Sequence, residues 1–252
     1  MVTPTPPLPP PAASSPRSRV ADFAHRVAAR ASELALILAA VGRPQRYAPV
    51  QLSPVHLLAI IVLCGPIYGA AMGSFQFAFS ERLFLVLFSA IKVPLLLLAT
   101  AAVCLPGFFV INTVLRLRDD FAEALAAILA GQAALAAALA SLAPLTRFVY
   151  FSGVNHRWAL LCNAAAFAAA ALIAQIVIRR RYRPLIERSP RHRVMLVTWF
   201  VLYAFVAIQM GWMLRPFVGT PGLAVAFFRD EPFSNAYVAV AKLFDFSSGS
   251  MP

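Results

Sequence analysis

Between Leu83 and Leu115 the chain runs for 33 residues with one charged side chain, Lys92, held in Ile91-Lys92-Val93-Pro94. A helix rises about 1.5 Å per residue, so about 20 apolar residues cross a hydrocarbon core of roughly 30 Å, and this run exceeds that length. Such a segment needs lipid as its solvent, and an ammonium group inside it is costly unless it finds a partner. The composition points the same way. Of 252 residues, 61% are hydrophobic and 13% charged, more apolar surface than one soluble core can bury. The predicted fold is an all-α integral membrane protein, a five-transmembrane-helix bundle with flanking amphipathic helices.

Residues 1–17 carry prolines at 4, 6, 7, 9, 10, 11 and 16 and little that packs, which predicts a disordered, Pro-rich tail. The N-terminus lacks a basic region followed by an apolar core, so no cleaved signal peptide is expected. In residues 18–43 the apolar Val20, Phe23, Val27, Leu34, Leu38 and Val41 recur at three, four or seven, with Arg19, Arg26 and Arg30 interspersed. That pattern predicts a basic amphipathic helix on the membrane surface, ended by Gly42-Arg43-Pro44. Spans are expected at 55–75, 83–115, 121–142, 158–178 and 194–214. The second is expected to be broken at 92–94, because proline disfavours helical geometry in the residue before it. In the segment 218–252, Phe233, Tyr237, Val240, Ala241 and Phe244 predict a short amphipathic helix on the outer side.

The 22 Lys and Arg residues orient the spans. With the N-terminus inside, six precede the first span, Arg116 and Arg118 follow the second, and seven lie from Arg179 to Arg193. Those fifteen face the cytoplasm, against six on the other side, which predicts the N-terminus inside and the C-terminus outside. The densest group, Arg179, Arg180, Arg181, Arg183, Arg188, Arg191 and Arg193, is read as topology-setting and as contact for anionic lipid head groups. Nucleic-acid binding would require a folded basic surface with exposed aromatics, and only Tyr182 is at hand.

Close helix packing has its own signature. Gly65, Gly69 and Gly73 form a doubled GxxxG ridge, and alanines at 122, 126, 130, 134 and 138 repeat the four-residue spacing, as do Cys162, Ala166, Ala170 and Ala174. Small residues let backbones approach where lipid supplies no hydrophobic drive. The ridge suits internal packing, of which Gly65, Gly69, Gly73, Ala126, Ala130 and Ala134 are the core, or a homo-oligomer face. Asp120 and Glu123 are read as a capping box at the start of the third span. A metal or catalytic role for them is set aside, since no histidine or second acidic pair accompanies them. Cys64, Cys104 and Cys162 lack the spacing of a disulfide or metal framework.

No Asp or Glu lies deep in a span and no catalytic, metal or phosphate-binding motif is present, so no cofactor or metal is expected. The candidate functional polar residues are Lys92, Asn112 and Gln209. Lys92 is expected at the outer interface, its amine reaching water, or deeper with a carbonyl partner.

Gly65-Pro66-Ile67-Tyr68-Gly69, Lys92-Val93-Pro94-Leu95-Leu96, Leu105-Pro106-Gly107-Phe108-Phe109 and Gln209-Met210-Gly211-Trp212-Met213-Leu214-Arg215-Pro216-Phe217 carry a resemblance to the Yip1-like five-helix membrane proteins, in an uncharacterised bacterial branch. The resemblance spans roughly residues 50–220 and implies architecture; no GTPase-contact motif accompanies it. Together these readings predict a non-catalytic protein of the bacterial inner membrane, a scaffold or accessory subunit whose partners are membrane lipids and other membrane proteins or further copies of itself. The alternative is a transporter, channel or lipid-handling protein that uses Lys92.

Overall fold

The computed structural model describes residues 53–75, 83–219 and 227–228. The expected tail at 1–17, the amphipathic helix at 18–43 and the amphipathic part of 218–252 lie outside the described residues. Among the described residues are five long helices, α1 (Pro54–Gly73), α2 (Leu83–Val114), α3 (Phe121–Phe151), α4 (His156–Arg188) and α5 (Arg191–Met213), with a 3-10 turn at Arg118–Asp120. Each is long and apolar enough to cross a membrane. The chain is a multi-pass membrane protein built as an all-helical bundle.

Local chemistry explains the helix ends. Pro54 occupies the first turn of α1, where its missing N–H is not needed. The side chain of Asn155 accepts a hydrogen bond from the Trp158 N–H and caps α4. At the end of α2, Arg116 takes φ 58°, and the Leu117 N–H returns to the Asn112 carbonyl at 2.9 Å. That is a left-handed terminal closure of the kind usually given to glycine. Here the Asn112 side chain reinforces it by donating to the Leu117 carbonyl at 3.1 Å.

The glycine ridge of α1 lies directly on α2. A methyl group added at Gly65 would come within 3.0 Å of the Pro94 side chain, and one at Gly73 within 2.8 Å of the Leu85 carbonyl oxygen. At Gly69 it would strike the Ser89 carbonyl and approach Ala90 Cα to 2.7 Å. Positions 65, 69 and 73 thus meet 94, 89–90 and 85 in antiparallel register. The expected break at 92–94 is absent: α2 is one helix of 32 residues through Pro94 and Pro106. An interior proline costs a helix about 3 kcal/mol, but here the Pro94 ring seats against Gly65 and the preceding turns are clasped by the rest of the ridge. Tertiary packing overrides the local rule.

Helix α3 is the centre of the bundle, buried on every side from Ala130 to Leu139. Its alanine content permits this, since larger side chains all round would hold the neighbours apart. Ala130 and Ala134 are buried and Ala126 is half-buried; Ala127 and Gly131 take the inward positions at that level. A side chain at Gly131 would collide with Ile178 of α4. Three helices run longer at the ends than the expected spans. In particular α4 continues through the arginine run to Arg188, with Pro184 inside it, because Ile178, Tyr182 and Leu185 keep one face buried.

The bundle has two distinct ends. At the arginine end α2 and α4 finish and α1, α3 and α5 begin. At the lysine end lie the start of α2, the α3–α4 turn and the segment after α5.

Candidate functional site

Lys92 sits nine residues into α2, about 14 Å along the helix, and is fully buried. Its amine is enclosed by protein and does not reach water, unlike the expected snorkelling. The chain after α5 folds back into the bundle, burying Leu214 and Val218, and presents its carbonyls to α2. The Lys92 Nζ donates to the Pro216 carbonyl at 2.8 Å, and one turn earlier Ser89 Oγ donates to the Phe217 carbonyl at 2.7 Å. The rings of Phe227 and Phe217 lie 4.8 Å and 5.9 Å from the amine, a cation–π environment that gains strength once water is excluded. Two side chains on one face of α2 therefore hold two consecutive loop carbonyls in an apolar setting, where backbone polar groups need partners.

The other two candidates do not join it. Asn112 is buried, 20 residues or about 30 Å further along the same helix, and closes the α2 C-terminus as described above. Gln209 is half-buried on α5 and bonds to neither.

Polar groups deeper in the bundle tie helices together. Tyr68 of α1 donates to Asn163 Oδ1 at 2.9 Å, and the Asn163 amide donates to the Tyr150 hydroxyl of α3 and to the Ala159 carbonyl. Tyr203 of α5 donates to Gln132 of α3 at 3.0 Å. At the lysine end Arg147 donates to the Ser74 carbonyl at 3.0 Å, tying α3 to the end of α1.

At the arginine end the expected capping box is not made: Asp120 stands at the N-cap of α3 without a side-chain cap bond. Its carboxylate turns outward to the other helices. Oδ2 lies 3.0 Å from Nε2 of His192, a fully buried side chain, and Oδ1 accepts from Arg188 at 3.1 Å. Glu123 also accepts from Arg188, at 2.7 Å. Carboxylates at the start of α3 thus clasp the end of α4 and the start of α5, and Arg191 adds a bond to the Leu115 carbonyl at 3.3 Å. The histidine that sequence adjacency did not offer is supplied by topology, because 120 and 192 both fall at helix starts on the same side. Among the described residues no three His, Cys, Asp or Glu side chains assemble as metal ligands.

Asp120→Ala should leave the buried His192 Nε2 without a partner, costing about 1–3 kcal/mol, or several degrees in thermal midpoint at roughly 2–4 °C per kcal/mol. Glu123→Gln loosens an exposed contact and should shift the midpoint by only about a degree. The readout is thiol labelling during heating in detergent, since Cys64 and Cys104 are buried and react on unfolding.

The arginines of the 179–193 run take separate roles. Arg188 and Arg191 make the clasp contacts above, Arg180 is exposed, Arg181 is half-buried, and Arg179, Arg183 and Arg193 line a groove between α4 and α5. Comparison with protein-family models, with curated proteins and with solved structures finds no match.

Proposed function

We propose that the chain is a non-catalytic protein of the bacterial inner membrane, a scaffold or accessory subunit of a larger membrane assembly, with Yip1-like architecture, its arginine end in the cytoplasm and its C-terminus outside. The observation that carries this reading is the use made of buried polar side chains. Lys92, Ser89, Asn112, Gln132, Asn163 and His192 each hold a helix end, a neighbouring helix or the loop after α5. A transport pathway would line a passage with such groups; here the Lys92 amine is closed in by a carbonyl and two aromatic rings. The outward faces of α4 and α5, with Leu172, Ile176, Val201, Phe205 and Ile208 exposed, leave room for lipid or a neighbouring membrane protein. The test is cross-linking in intact membranes before purification in mild detergent. A defined complex with another membrane protein or a further copy is the expected result, and a monomer cross-linked to nothing overturns the proposal.

A further inference from the structure

Helices α4 and α5 are joined by only Ser189 and Pro190, yet they diverge and leave between them a groove of about 530 Å³. Its α4 wall is the ridge Gln175, Arg179, Arg183, Ile186 and Glu187, and its α5 wall is Arg193, Leu196, Val197 and Phe200. Val197 and Phe200 are 58% and 48% exposed. Arginine and uncovered aromatic and aliphatic surface share one slot. Water suits the first and hydrocarbon the second; a phospholipid, with a phosphate at one end of acyl chains, suits both.

Depth agrees with this. The apolar part of α4 before Arg179, from Trp158 to Ile178, spans about 32 Å at 1.5 Å per residue and so fills the hydrocarbon core of roughly 30 Å. Arg179 and Arg183, one turn apart on the same face, therefore fall in the layer of lipid phosphates. Glu187 bonds Arg183 at 2.9 Å, but three guanidiniums against one carboxylate leave the groove cationic, which favours an anionic head group over a zwitterionic one. Guanidinium also matches phosphate by its planar, paired donors.

We infer that the α4–α5 groove binds one anionic glycerophospholipid from the surrounding bilayer, its phosphate held by Arg179, Arg183 and Arg193 and an acyl chain lying against Leu196, Val197 and Phe200. The arginine run is thereby divided: these three form a site, while Arg180 and Arg191 serve as general surface charge and a helix tie. This inference rests on the membrane placement of α4 and α5 and is independent of the scaffold role.

The full chain, purified in mild detergent and titrated with phosphatidylglycerol, is measured by native mass spectrometry. One tightly retained lipid is expected, with phosphatidylethanolamine bound far more weakly. Each of R179Q, R183Q and R193Q should weaken binding about fivefold, whereas R180Q should change it less than twofold. V197W, which fills the apolar wall without altering charge, should also weaken binding, which keeps the test open if an arginine variant fails to fold. Equal loss from R180Q and R183Q, equal binding of the zwitterionic lipid, V197W binding as wild type, or no lipid retained because another part of the chain fills the groove, would each overturn the inference.

Discussion

Gly69→Leu should yield no recoverable folded protein, and Gly69→Ala should destabilise the bundle by about 3 kcal/mol, near the upper end for overpacking. The sign is informative, because alanine is intrinsically the better helix former by about 1 kcal/mol. At Gly69 the added carbon meets backbone, the Ser89 carbonyl and Ala90 Cα, which cannot rotate away as a side-chain tip would. Gly211 of α5 is the control, since among the described residues nothing lies within 4 Å of a carbon added there; Gly211→Ala should be neutral or stabilising. Thermal labelling of Cys64 and Cys104 reads both, and a Gly69→Ala midpoint equal to that of Gly211→Ala would show that α1 and α2 do not meet in this register.

Lys92→Glu should be nearly as damaging. A carboxylate there would face the Pro216 carbonyl and the π-faces of Phe217 and Phe227, all electron-rich. An uncompensated buried charge costs about 3–5 kcal/mol. Lys92→Met keeps the stem, removes the amine's own desolvation cost and takes the amine's hydrogen bond from the Pro216 carbonyl, so the net loss should be only about 1–2 kcal/mol. The ordering wild type, Met, Glu in thermal midpoint is the measurement, and a Lys92→Glu protein as stable as wild type would sink the assigned contact. Ser89 touches both the glycine ridge and the Phe217 carbonyl. The Gly69 and Lys92 substitutions should therefore be non-additive, as expected of neighbours sharing one partner.

The helices themselves were legible because lipid imposes a minimum length and an apolar composition that few other constraints produce. The packing role of glycine was legible too, since the ridge at 65, 69 and 73 has a spacing that only close approach requires. What local rules missed was the answering surface. Proline at 94 read as a break because its fit against Gly65 depends on antiparallel register, which no window around residue 94 contains. Asp120 read as a cap for the same reason. Its partners Arg188 and His192 are near in space only after two more crossings have brought the chain back to the same end. Lys92 was recognisable as anomalous from its surroundings, but its partner was hidden: a proline carbonyl carries no signature in side-chain chemistry.

The Lys92–Pro216 bond joins residues 124 apart, and that separation has a meaning in time. At the usual 5–20 residues per second of synthesis, roughly 6–25 s pass between the making of the amine and the making of the oxygen that receives it. Throughout that interval the α1–α2 hairpin holds a cation with no acceptor from the segment beyond α5. Biogenesis must therefore shelter an unfinished hairpin until α5 is in place, and the segment that follows α5 seals the first pair.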